Sequence, residues 1–287
     1  MLVRIAAVIA VLGVAAAIAT ELALSSSSSL KGTVREDSFH SRALRGPLRF
    51  AVYLPPGYRS GGRYPIVYYL HGLPATERSY LGFGFVPATL ERLGLRAIVI
   101  APQGARNGDT DPEYLDWHPG RNWETAIADE LPAYVDAHYR TIRARDGRAL
   151  IGVSAGGYGA FLLALHHLSD FAVVESWSGY FHPTDPSGTK ALQLGSSAAN
   201  TRASAHALVG DLRTAVRHLP TLLAFYIGTT DSRFRAENVR LDRELTAAGV
   251  PHVFRLYTGG HSQDLWQHEA ATWLKLAVER LARPARG

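Results

Sequence analysis

The chain predicts an α/β fold in which a mostly parallel sheet is covered by helices on both faces. Short apolar runs alternate with helix-period segments from about residue 48 to residue 281, the pattern of βα units rather than of an all-β or all-α chain. At 287 residues and 47% hydrophobic content, the chain can bury a substantial core in one large domain. The sequence Gly152-Val153-Ser154-Ala155-Gly156 also stands where one apolar run ends and a helix-like segment begins, so a sharp strand-to-helix turn is expected there.

Taken in order, Leu48–Leu54 alternates apolar and polar before Pro55-Pro56-Gly57 and reads as an edge strand. The runs 65–70 and 97–101 are short and apolar, as buried strands are. Trp123 to His138 has helical spacing, with Ile127, Leu131, Tyr134 and Val135 on one face. The run Ala149-Leu150-Ile151 forms the strand before the turn, and Gly157 to Leu165 the helix after it. Strands follow at 171–176, 222–227 and 252–257, with helices at 238–248 and 265–281. The stretch from Tyr180 to Leu219 mixes polarities and is rich in Gly, Ser and Asn; it is expected to be an insertion over the site.

The N-terminus has its own composition. Met1-Leu2-Val3-Arg4 is a short basic start, and Ile5 to Ala19 is uninterruptedly apolar, ending in Ala17-Ile18-Ala19 before Thr20-Glu21. Residues 1–24 are therefore expected to be a cleaved export signal, or else an uncleaved membrane anchor that associates the protein with the cell envelope. Residues 25–34, opening with five serines, read as a flexible linker, and 35–287 as one domain. The formal charge of +5 includes only three lysines (Lys31, Lys190, Lys275), and the arginines are scattered. Nothing in that pattern points to nucleic acid. Without cysteine there is no disulfide and no thiol nucleophile, and neither absence argues against export.

The chemistry is concentrated around Ser154. In a nucleophile elbow the serine takes a strained backbone conformation, which requires small neighbours; Gly152, Ala155 and Gly156 provide them. A serine hydroxyl is a weak nucleophile, so a base must take its proton and a third group must orient that base. His261 follows the 252–257 strand and the loop Thr258-Gly259-Gly260, whose glycines permit a tight turn that carries an imidazole over the sheet. The other histidines are poorer candidates: His166, His167 and His268 fall in helices, and His71, His118 and His138 precede the serine. Asp231 lies just beyond the strand 222–227 and would fix the imidazole tautomer. Glu237 on the same connection is the alternative acid, and helix capping is the alternative role for Asp231. The tetrahedral oxyanion needs two donors: the backbone N–H of Ala155, and that of Leu73 after His71-Gly72. Trp117, Trp177, Tyr180 and Phe181 are candidate linings for an acyl or aryl pocket, with core packing as the alternative role for isolated aromatics.

With these residues placed, the chain resembles the putative-esterase family of α/β-hydrolases, which includes S-formylglutathione hydrolases, feruloyl and acetylxylan esterases, enterochelin esterases and mycolyltransferases. The resemblance spans roughly residues 38–281. It is carried by Val52-Tyr53-Leu54-Pro55-Pro56-Gly57-Tyr58, Tyr69-Leu70-His71-Gly72, the elbow through Gly157, Gly228-Thr229-Thr230-Asp231 and Gly259-Gly260-His261-Ser262. It implies an α/β-hydrolase fold, the set Ser154, Asp231 and His261, an oxyanion donor after the His-Gly pair, and neither metal nor cofactor. Trp123-Glu124-Thr125 with Glu130-Leu131-Pro132 is similar to the mycolyltransferase branch, but the early His-Gly (there Asp-Gly) and the aspartate acid (there glutamate) depart from it.

The expected activity is exported hydrolysis of a small-molecule or envelope carboxylic ester through an acyl-enzyme. The competing expectations are acyl transfer to a sugar or lipid hydroxyl, and a catalytically silent envelope-binding protein on the same fold.

Overall fold

A computed structural model describes residues 30–59, 62–106, 113–185 and 190–283; the expected export segment and the serine run lie outside them. Among the described residues eight strands form one sheet: β1 (Thr33–Ser41), β2 (Gly46–Leu54), β3 (Ile66–Leu70), β4 (Ile98–Pro102), β5 (Arg148–Val153), β6 (Val173–Trp177), β7 (Leu222–Gly228) and β8 (Val253–Tyr257). Their order across the sheet is β1-β2-β4-β3-β5-β6-β7-β8. The pairs β1/β2 and β2/β4 are antiparallel, and every later pair is parallel.

Side-chain alternation along the central strands divides the core into two layers. Ile66, Tyr68, Leu70 and Leu150 face one layer, while Val67, Tyr69, Ile151 and Val153 face the other. The first layer is closed by α2 (Leu131–His138), α3 (Ala155–His166), α5 (Ala205–His218) and α6 (Arg235–Ala247). The second is closed by α1 (Phe85–Arg92) and α7 (Gln263–Arg280). Trp273 and Leu274 of α7 are buried in that second layer. A short helix, α4 (Ser197–Arg202), precedes α5. No helix among the described residues is long and apolar enough to cross a membrane.

Three expectations change. The expected edge strand 48–54 is interior, because β1 pairs with its outer side over the full register Thr33↔Leu54 to Ser41↔Gly46. The linker expected over 25–34 gives way to ordered backbone before residue 35. There the Lys31 and Gly32 N–H groups donate to the Glu91 carboxylate at 2.8 and 2.7 Å, and Thr33 opens β1. The helix expected over 123–138 forms, but a π-helical turn at Ala126–Glu130 interrupts it and shifts the face that Leu131–His138 presents.

Candidate active site

Ser154 sits between β5 and α3 with φ 55° and ψ −121°, a conformation that a side-chain-bearing residue adopts only when its surroundings impose it. The imposition comes from close packing. A Cβ on Gly152 would overlap the Gly156 carbonyl, and one on Gly156 would overlap the Leu70 carbonyl, so strand, turn and helix approach more closely than any larger residue permits. The Ser154 N–H donates to the Trp177 carbonyl at 2.9 Å, tying the turn to the end of β6.

His261 joins Ser154 to Asp231. Its Nε2 lies 2.9 Å from Ser154 Oγ and its Nδ1 2.7 Å from Asp231 Oδ2. Asp231 follows β7, and the connections after β7 and β8 are bonded to each other: Thr229 N–H donates to the Tyr257 carbonyl and Thr230 N–H to the Gly259 carbonyl, at 2.7 and 2.9 Å. Thus the two loops that carry Asp231 and His261 are held as one unit at the carboxyl edge of the sheet. Burial acts to raise the Asp231 carboxyl, but hydrogen bonding and charge from His261, with the N–H groups of Phe234 and Arg233, outweigh it and hold the group below its ordinary value. The His261 ring is set edge-on against Trp266 (5.3 Å, 88°) and Phe234 (5.4 Å, 61°).

The loop after β3 approaches the serine from the opposite side. A Cβ at Gly72 would stand 3.0 Å from Ser154 Cβ, which places that backbone in contact with Ser154. Leu73 and Ser154 line one cavity of about 220 Å³, together with Tyr180, Phe234, His261 and Trp266. Ala155 opens α3, where its N–H has no partner within the helix. His71 is not a base here. Its Nδ1 lies 3.0 Å from the Gly72 carbonyl and its Nε2 3.0 Å from the Gly104 N, so the partners assign the tautomer: Nδ1–H donates and Nε2 accepts. Burial lowers its pKa to about 4, which keeps it neutral. Tyr114 O–H donates to the His71 carbonyl at 2.6 Å, completing a clamp around the loop.

Of the four aromatics expected in a pocket, Tyr180 lines the Ser154 cavity. Trp177 is packed in the core among Tyr69, Phe85 and Tyr226, and Phe181 between Phe161 and Phe225, because each points into a layer of the sheet rather than above its edge. Trp117 lines a different pocket, of about 250 Å³, with Leu194 and Glu124. That glutamate is held by His166, His167 and Arg202 outside the Ser154 cavity. Glu237, the alternative acid, bonds His182, His206 and the Phe181 N–H instead of His261. The segment expected to cover the site supplies Tyr180, Thr184 and Asp185 to the cavity, and its later part folds into α4 and α5. Sequence reasoning passed over Phe234 and Trp266, which shape the surroundings of His261, and Glu113, whose carboxyl group lies 2.8 and 2.9 Å from the Tyr180 hydroxyl. None of the three stands in a motif.

The family model described as "Putative esterase" matches residues 41–275. The chain belongs to that family. Among curated relatives, "Esterase Rv1288" of Mycobacterium tuberculosis is 35% identical over 129 residues, covering 45% of this chain and 28% of the relative. The S-formylglutathione hydrolase of Mus musculus is 28% identical over 179 residues, covering 56% and 61%. The chain thus spans less than two thirds of the length of either. The solved S-formylglutathione hydrolase from Agrobacterium tumefaciens superposes with a TM-score of 0.73 at 24% identity, covering 88% of this chain and 97% of that one. The shared architecture is the α/β-hydrolase fold.

Proposed function

We propose that this chain is an exported serine hydrolase of carboxylic esters. The observation that carries the reading is the continuous hydrogen-bonded relay from Ser154 Oγ through His261 to a buried Asp231. Ser154 Oγ attacks the ester carbonyl while His261 Nε2 takes its proton, and the tetrahedral oxyanion receives the N–H groups of Ala155 and Leu73. The intermediate collapses as Nε2–H protonates the leaving alcohol, leaving the acyl group on Ser154. Water then attacks that ester with His261 again as base, and the carboxylic acid departs. Asp231 stays ionised throughout and stabilises the imidazolium. Membership of the esterase family and the names of the relatives support the reaction class. The apolar N-terminal segment, with a basic start and small residues at its end, supports export.

The cavity beside Ser154, about 220 Å³, lies below the ~300–1,000 Å³ of pockets that hold drug-sized ligands. It accommodates a short acyl group rather than a long lipid chain. Assay of the purified protein on p-nitrophenyl esters of increasing acyl length, with and without trehalose as acceptor, tests this. Fast release from short chains, absent in Ser154→Ala and indifferent to trehalose, is expected. Slow release that trehalose accelerates, with acylated sugar formed, would replace hydrolysis by acyl transfer; no release by either protein would leave a binding role.

A further inference from the structure

Beyond the Ser154 cavity, three elements converge on a cluster that the ester chemistry does not use. His182 is on the loop between β6 and α4, His206 is on the first turn of α5, and Glu237 is on the first turn of α6. One ligand atom from each lies within 4.8 Å of the other two. Glu237 Oε1 is 3.3 Å from His206 Nε2 and 2.5 Å from His182 Nδ1. A tetrahedral zinc ion with bonds of about 2.0–2.1 Å needs ligand atoms roughly 3.3 Å apart; the Glu237–His206 pair already has that spacing, and the Glu237–His182 pair must open on the His182 side. That side chain is 38% exposed and can do so, whereas His206 and Glu237, at 7% and 12%, are held in place.

The other ring nitrogen of His206 is also held by a carboxylate. Its Nδ1 is 2.5 Å from Glu244 Oε2, and Glu244 is in turn held by Arg240 at 2.7 Å. If that contact uses the Nδ1 proton, a neutral imidazole turns the Nε2 lone pair toward the Glu237 carboxylate, and two acceptors face each other. Either a second proton or a cation must lie between them. A carboxylate that fixes the far nitrogen of a histidine is the support found behind metal-bound imidazoles.

We propose that His182, His206 and Glu237 bind a divalent transition-metal ion of the zinc class, with Glu244 orienting His206 behind it. Nitrogen and carboxylate donors in a three-residue set suit such an ion better than magnesium or calcium, which take oxygen. The ion would be a clamp rather than a reactant. His182 lies between Tyr180 and Thr184, which line the Ser154 cavity, and the ion would tie that wall to the helix that follows the Asp231 loop. The proposal does not depend on the esterase reading.

The test uses full-length protein stripped with a chelator and titrated with Zn²⁺ by calorimetry, and separately with Co²⁺ read by visible absorption. One ion per chain is expected, with the intense visible bands of tetrahedral cobalt and a higher melting temperature with zinc. His182→Ala, a surface change that spares the core, should weaken binding at least ~10-fold, and Glu244→Gln should weaken it ~10–100-fold. Ser154→Ala should bind as wild type does. Failure to take up one ion per chain, or uptake that His182→Ala and Glu237→Gln both leave intact, overturns the proposal and assigns the cluster to an imidazolium held between carboxylates.

Discussion

Asp231 Oδ2 lies 2.7 Å from His261 Nδ1, while its Oδ1 accepts the backbone N–H groups of Arg233 and Phe234 at 3.1 and 3.2 Å. One oxygen therefore faces the imidazole while the other holds the turn that precedes α6, whose N-cap is Phe234 and not Asp231. An amide at position 231 can keep the turn bonds but present an N–H to His261, favouring the wrong tautomer. Asp231→Asn should lower kcat by ~10⁴-fold with little loss of stability. Near-wild-type turnover in this variant, combined with loss in Glu237→Gln, would move the role to Glu237.

Gly72 offers a finer test of the oxyanion donors. A methyl group there would press on Ser154 Cβ at 3.0 Å and on the Val153 carbonyl at 3.1 Å, so the loop must retreat and take the Leu73 N–H with it. Gly72→Ala is expected to lower kcat by ~10²-fold, the order observed when one oxyanion donor is lost, with a smaller change in KM. Steady-state kinetics on a short-chain ester checks this; an unchanged kcat would remove Leu73 from the site.

His71 should matter without touching the substrate. Its loss leaves the Gly104 N–H without its acceptor and unpins the Gly72 carbonyl. His71→Ala should cost about 1–3 kcal/mol of stability for the orphaned buried donor and should lower kcat through the loosened loop. Chemical denaturation and kinetics on the same preparation would show both effects together; loss of stability alone would make His71 purely structural.

Glu113 predicts a pH dependence. Burial raises its carboxyl from the ordinary 4.5 to about 8, against the opposing hydrogen bond from Tyr180. The folded state therefore keeps a proton that the unfolded chain releases, so this group's contribution to stability is complete below about pH 4.5 and is lost as pH rises to about 8. Melting curves of wild type and Glu113→Gln between pH 5 and 9 should show wild type losing ground to the variant as pH rises. Parallel curves would contradict it.

Most of the sheet and the three residues of the relay were legible because both rest on local signals: apolar runs ended by turn residues, and small residues around a serine. β1 was not, because Thr33–Ser41 is an edge strand whose only buried residue is Ser41 and whose middle is Arg35-Glu36-Asp37, so it carries no hydrophobic alternation. Trp177, at the end of β6, and Phe181, on the loop after it, take the core-packing alternative, because aromaticity alone does not say whether a residue points into the core or above the sheet edge. The Glu113–Tyr180 pair and the His182–His206–Glu237 cluster join residues far apart in sequence, and only the packing of loop against helix brings them together.

The central claim is that Ser154 carries the acyl group. Rapid quenching of the protein with a short-chain p-nitrophenyl ester, followed by digestion and mass spectrometry, tests it most directly. The peptide containing Ser154 should gain the mass of the acyl group, and neither Ser154→Ala nor His261→Ala should accumulate it. Turnover without an adduct on Ser154 under conditions that trap acyl-enzymes, or an adduct that persists in Ser154→Ala, would contradict the account.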